Sequence, residues 1–157
     1  MTTGPETSKA VPLRYRLAMA LYQAVWFVSM PLVWRYFRRR AKRDPAYGEH
    51  LEDRIGLIDA PSADVWIHAV SLGEFRSAVP VIERLIAQGR SLVITHATPA
   101  GRRASTDTLA ASIARGQVTV CYAPVDRTVY WERFFNVTKP KVGLVFEMEF
   151  WPGMTEA

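Results

Sequence analysis

The apolar positions of the chain follow two rhythms. Between residues 13 and 34 they are almost continuous, and the uncharged run 17–34 is interrupted only by Gln23, Ser29 and Pro31. From residue 65 onward, short apolar runs alternate with stretches of three- and four-residue spacing. Residues 65–70 (VWIHAV) are β-branched and aromatic and end on a turn signal, which predicts a buried strand. Phe75, Val79, Ile82, Leu85 and Ile86 share one helical face, predicting an amphipathic helix over about 74–88 that Gly89 stops. Residues 91–96 (SLVITH), 117–122 (QVTVCY) and 142–146 (VGLVF) read as three further strands. Helices over roughly 102–114 and 127–135 fall between them, and Gly116 ends the first. Strict alternation of strand and helix implies a parallel sheet with right-handed crossovers, an α/β Rossmann-like domain over residues 64–157.

In such a sheet the carboxyl ends of the strands gather on one rim, where open α/β folds bind ligands. The rim collects Ser71, Gly73 and Glu74 after the first strand, and Thr95, Thr98, Gly101 and Arg102 after the second. Pro124 and Asp126 follow the third strand, and Glu147 and Glu149 the fourth. Polar residues after a strand are routine; two carboxylates at the end of one short buried strand are less so. Glu74 has two readings that local spacing leaves open. In one, Ser71-x-x-Glu74 is a capping box that closes the start of a helix. In the other, Glu74 is a general base at the mouth of a cleft, within reach of a substrate hydroxyl. His68 falls inside the first strand and reads as a core or near-site histidine rather than a metal ligand. Cys121, the single cysteine, reads as a buried inert thiol and excludes a disulfide framework. The sequence holds no GxGxxG, P-loop or H-E-x-x-H, and its three histidines lie far apart, so neither a cofactor nor a metal is expected.

Charge alters the picture mainly through its distribution. The net charge is +5, but residues 1–43 carry nine Lys/Arg against one Glu, which is +8 and leaves −3 for the remainder. A mildly acidic body argues against a nucleic-acid partner, and the basic arm points to an anionic membrane surface. Residues 1–12 read as a disordered polar lead and 13–43 as a membrane-anchor helix with a basic cluster. The apolar run sits at the lower length limit for crossing a bilayer, and Tyr22, Trp26, Trp34 and Tyr36 suit the interfacial zone. A single crossing, a helix lying in the interface and a core helix of a soluble domain all remain open. A cleaved signal peptide fits poorly, because basic residues and no small-residue cleavage site follow the run. For a crossing helix, Arg35, Arg38, Arg39, Arg40, Lys42 and Arg43 outweigh Lys9, Arg14 and Arg16 and put the body on the cytoplasmic side. The cluster Arg38, Arg39, Arg40, Lys42 and Arg43 reads either as a contact for lipid head groups or as a plain topology signal. Residues 44–63 form a connector with a short helix over 47–55; Arg54 pairs there with Glu49 or Asp53 or, as the better expectation, is solvated at the surface. No closing helix is expected after Pro152, and a parallel sheet stopped at four strands keeps an open edge, so the chain reads as the amino-terminal part of a longer protein.

Four ordered segments, WIHAVSLGE (66–74), THATPAGR (95–102), YAPVD (122–126) and EMEFWP (147–152), resemble the amino-terminal domain of the Kdo transferases. These enzymes add 3-deoxy-D-manno-octulosonic acid (Kdo) to the lipid A precursor. The likeness extends over about residues 13–157 and includes the apolar arm, the basic cluster and Pro45-Ala46-Tyr47. It implies a GT-B fold of two Rossmann-like domains, with this chain holding an incomplete acceptor-binding domain and the CMP-Kdo donor bound by a second domain outside it. It implies that Glu74, in S-x-G-E, is the catalytic base and that Glu147, the first glutamate of E-x-E-x-W-P, stabilises the transition state. It also implies a place at the bacterial inner membrane with the rim on the cytoplasmic side. Gly153 departs from the family's usual Asn after Trp-Pro, which touches turn geometry more than chemistry. Two other hypotheses stand beside this one: a membrane-anchored lipid A-binding fragment with no activity of its own, and a soluble flavodoxin-like domain whose first helix is buried.

Overall fold

The computed structural model describes residues 12–147 and 150–157. It opens on a 29-residue helix, α1 (Leu13–Ala41), which continues through Pro31. The connector helix expected over 47–55 is instead two single 3-10 turns, Pro45–Tyr47 and Asp53–Ile55. The body then runs β1 (Val65–His68), α2 (Leu72–Ala87), β2 (Leu92–His96), α3 (Pro99–Thr108), α4 (Ala110–Ala114), β3 (Val118–Tyr122), α5 (Thr128–Thr138), β4 (Val142–Val145) and α6 (Pro152–Glu156). The sequence-predicted lead falls almost wholly on residues 1–11, outside the described residues.

All four strands are parallel, in the order β3-β2-β1-β4. Val65 of β1 faces Leu92 on one side and Val142 on the other. The chain therefore builds outward through β2 and β3, then returns to add β4 on the far side of β1. The gap beyond the carboxyl ends of β1 and β4 is the topological switch point, where ligands bind in such sheets. Alternation along the strands divides the core. Ile67, Leu92, Ile94 and Val118 pack against Phe75, Ala78 and Ile82 of α2. Trp66, Val93 and Cys121 pack on the other face against Trp131 and Phe134 of α5 and Met154 of α6. The expected α/β Rossmann-like architecture is the observed one.

Two differences lie at helix starts. The helix expected over 102–114 begins earlier and divides in two. Thr98 caps it, accepting from the Gly101 amide at 3.2 Å, and Pro99 supplies the preset first helical residue. A short helix, α6, also forms after Trp151, where none was expected.

The first helix is neither a core helix nor a detached anchor. Only its Met30 and Phe37 are buried, so it is not the core helix that the soluble-domain alternative expects. Trp26, Met30, Val33 and Phe37 form one face that packs with Leu51, Val125 and Tyr130 of the body. The other side exposes Leu13, Leu17, Leu21, Val25, Val28, Leu32 and Tyr36, an unbroken apolar stripe at three- and four-residue steps.

Candidate functional site

The turn from β1 into α2 carries Glu74 in the first helical turn. Ser71 is the N-cap: its Oγ accepts from the Glu74 amide at 3.4 Å and donates to Glu74 Oε1 at 2.9 Å. Glu74 Oε2 accepts from the amide of Val70 at 2.5 Å, one residue before the Ser71 amide that the box predicts. Glu74 is a buried residue, 6 % exposed, and both its carboxylate oxygens are bonded to polar groups of its own turn. Each oxygen of an ionised carboxylate has more than one acceptor direction, so these bonds orient the group without using it up.

The turn is fastened to its neighbours. His96 Nδ1 lies 2.6 Å from the Ala69 carbonyl and must donate to it. The Val70 carbonyl accepts from the amides of Ala97 and Thr98 and from Thr98 Oγ1. Gly101 allows the approach: a Cβ there would sit 3.1 Å from His96 Nδ1 and 3.2 Å from the Ser71 carbonyl carbon. Ser71, Thr98 and Gly101 therefore act together in holding Glu74, and Gly73 lies exposed beside them.

Thr95 is not on the rim. It is fully buried, accepts from Trp66 Nε1 at 2.9 Å and bonds His68 Nδ1 at 2.8 Å. The reason is strand parity: residues 93 and 95 of β2 face α5, one position before the strand ends. His68 belongs to the same buried group, as a core histidine, with Trp131 and Trp151 around its ring. Burial lowers the pKa values of His68 and His96 to about 4, so both are neutral at pH 7. Burial pushes the Cys121 thiol up, which keeps it protonated and inert. Arg102 also leaves the rim: its guanidinium lies 5.2 Å from the Tyr122 ring centroid, over a hollow shared with Asp44 and Glu49.

Asp126 is buried and acts within the fold. It accepts from Tyr22 Oη at 2.7 Å and from the Gly153 and Met154 amides at 3.0 and 2.8 Å. It thus caps α6 and ties it to α1. A Cβ at Gly153 would lie 2.7 Å from Asp126 Oδ1, so the space of a side chain at 153 is taken by the capping carboxylate. Glu147 is exposed at the carboxyl end of β4, with φ of 61°, a left-handed backbone uncommon for a non-glycine residue and enriched at functional sites. Glu149 lies outside the described residues. Glu74 and Glu147 therefore follow adjacent strands, one on each side of the switch point.

A crevice of about 670 Å³ separates α1 from the ends of β2 and β3. Trp26, Leu32, Val33 and Tyr36 line it from the helix, and Thr98 and Val125 from the body. Glu74 is not in its wall; the connection runs through Thr98, which bonds the Val70 carbonyl.

Arg54 is the residue that sequence reasoning misplaced. It is 4 % exposed, not solvated, and forms no ion pair with Glu49 or Asp53. Its guanidinium carbon lies 3.9 Å from the Tyr122 ring centroid and 5.0 Å from that of Phe37, and Nη2 donates to the Ala97 carbonyl at 2.9 Å. Asp53 turns instead to the Tyr122 amide at 2.9 Å. Burial lowers the Arg54 pKa to about 10, which leaves it charged at neutral pH. The basic cluster Arg38, Arg39, Arg40, Lys42 and Arg43 is exposed throughout; Arg40 also donates to Tyr47 Oη at 2.8 Å and stacks 4.7 Å from its ring.

The fold is that of a parallel, Rossmann-like α/β domain, and the comparisons with known proteins say to which family it belongs. The family profile described as 3-deoxy-D-manno-octulosonic-acid transferase (kdotransferase) matches residues 49–157. Relatives include a 3-deoxy-D-manno-octulosonic acid transferase of Bordetella pertussis, 36 % identical over 133 residues, which cover 81 % of this chain and 31 % of the relative. The same enzyme of Haemophilus influenzae is 28 % identical over 139 residues, covering 85 % of this chain and 31 % of the relative. A probable mitochondrial 3-deoxy-D-manno-octulosonic acid transferase of Arabidopsis thaliana is 29 % identical over 144 residues, 87 % of this chain and 31 % of the relative. The chain belongs to the Kdo transferase family. It spans about 31 % of the length of these curated relatives.

Proposed function

We propose that this chain is the acceptor-side part of a GT-B glycosyltransferase that moves Kdo from CMP-Kdo to the lipid A precursor. The observation that carries the reading is the placing of Glu74 and Glu147 on either side of the β1–β4 switch point. Glu74 takes the proton of an acceptor hydroxyl as that oxygen bonds to the anomeric carbon of Kdo. The bond from that carbon to the CMP phosphate breaks, CMP leaves with the electron pair, and the centre inverts. Positive charge develops on the sugar ring, and the exposed carboxylate of Glu147 stabilises it. The donor is held by protein outside this chain, and the 157 residues alone do not turn over. No metal or cofactor enters this scheme, and no nucleic acid is a partner.

We take α1 to lie flat in the interface of the inner membrane, on the cytoplasmic side that the family resemblance implies, and its docking onto the body supports the flat arrangement. Tyr22 is bonded to Asp126, and Gln23 Oε1 accepts from the Thr128 amide at 3.2 Å. A crossing that kept these bonds would drag polar loops into hydrocarbon. Lying flat, the helix turns its exposed stripe to the acyl chains and its basic cluster to anionic head groups. A second reading, a membrane-anchored lipid A-binding fragment without catalysis, draws on the engagement of both Glu74 oxygens by its own turn. The complete protein, supplied with CMP-Kdo and lipid A precursor and followed by mass spectrometry, separates the two. A Kdo adduct is expected; lipid binding with no adduct supports the second reading.

A further inference from the structure

We propose that the crevice under α1 binds an anionic amphiphile, with its alkyl chain along Trp26, Leu32, Val33 and Val125 and its phosphate against the Arg54 guanidinium. This rests on the reading that the chain acts on a membrane lipid, and it adds where the charge and the chain of that lipid are held.

The first support is Arg54 itself. A buried charge is costly unless it is paired, and a guanidinium cannot escape by losing its proton. The Tyr122 and Phe37 rings meet its faces and Nη2 donates to the Ala97 carbonyl, but among the described residues no carboxylate forms an ion pair with it. Asp53 attracts it from a distance but is bonded to the Tyr122 amide. Asp126, the carboxylate in the crevice wall, is occupied by Tyr22 and two α6 amides. The backbones of Asp126 and Arg54 are neighbours, the Arg54 carbonyl accepting from the Val125 amide at 2.8 Å, but their side chains part: Asp126 turns to Tyr22 and α6, and the Arg54 guanidinium to Phe37, Tyr122 and the Ala97 carbonyl. A phosphate offers the paired oxygens that the arginine fork fits.

The second support is continuity. Leu32 and Tyr36 belong both to the crevice wall and to the exposed stripe of α1. An alkyl chain passes from a bilayer beside that stripe into the crevice without crossing water. Lined mostly by apolar side chains, with the Arg54 guanidinium in its wall, the crevice suits an alkyl chain with an ionic head better than a sugar.

The test uses the full 157-residue chain and monomeric n-dodecyl phosphate, with n-dodecyl maltoside as the neutral-head control and inorganic phosphate as the chain-free control. Binding is read from tryptophan emission, since Trp26 and Trp151 line the crevice. Dodecyl phosphate is expected to bind on the order of tenfold or more tighter than dodecyl maltoside, as a charge-assisted pair should give, and far tighter than inorganic phosphate. Arg54→Gln removes the head-group preference but keeps the maltoside affinity. Arg54→Lys, which keeps the charge without the fork, loses most of the preference and serves if Arg54→Gln does not fold. Ser29→Phe fills the crevice from α1 and weakens both amphiphiles. Equal affinity for the two heads, a preference that survives both Arg54 variants, or inorganic phosphate binding as tightly as dodecyl phosphate overturns the proposal. The readout does not involve transfer. Absent transfer thus leaves this site standing, and absent binding leaves the transferase reading standing.

Discussion

Gly56 shows how a single residue fixes the place of Arg54. Its φ is +76°, and a Cβ there would lie 2.0 Å from the Tyr130 carbonyl oxygen. Gly56→Ala should therefore cost about 2 kcal/mol or more in urea unfolding, through backbone strain and collision together. No change in midpoint would mean that the close approach to α5 is not real. The buried histidines set an acid limit. His68 and His96 have folded pKa values of about 4, below the unfolded value of 6.5, so the unfolded chain binds more protons between those limits. Stability should fall as pH drops from 6.5 to 4, by up to about 3 kcal/mol per histidine, and then level off with respect to these groups. His96→Gln should flatten the slope, and an unchanged slope in unfolding midpoints would contradict the assignment. At this scale the sequence was only partly legible. The S-x-x-E spacing showed that Ser71 and Glu74 interact. It could not show that Thr95 turns inward, because that depends on where β2 ends, nor that Asp53 would leave Arg54 for the Tyr122 amide 69 residues away.

Elements were easier to read where their period was clean. Strands β1 to β4 and helix α2 follow from alternating apolar runs, and the parallel order follows from the helices between them. The short helix α6 was illegible because its cap, Asp126, lies 27 residues upstream of Gly153. That link predicts a mechanical connection from α1 to the end of the chain. Tyr22→Phe removes one charge-assisted bond and should cost about 1–2 kcal/mol. Asp126→Ala also uncaps α6 and should cost more, and limited proteolysis should then cut within residues 150–157. Equal protection of Asp126→Ala and the parent chain would show that the cap does not hold this segment.

Over the whole molecule, charge and apolar surface are separated along α1. The stripe faces one way, the body docks on the other, and Arg38, Arg39, Lys42 and Arg43 stand exposed at the end nearest the connector. Neutralising these four to Gln should weaken binding to anionic vesicles by on the order of 1 kcal/mol per residue at low salt, and leave binding to zwitterionic vesicles nearly unchanged. Equal loss on both vesicle types would assign the effect to packing instead. The length and composition of the apolar run pointed to a membrane; only the docking of Tyr22, Gln23 and Phe37 favours lying flat over crossing.

Glu74 is both the partner of a helix cap and the residue assigned as base, and one comparison of rates separates the roles. In the complete enzyme, single-turnover Kdo transfer should fall about 10²–10⁴-fold in Glu74→Gln, while Ser71→Ala, which breaks the same cap, falls far less. Equal, small losses in the two variants would show that Glu74 only closes the start of α2.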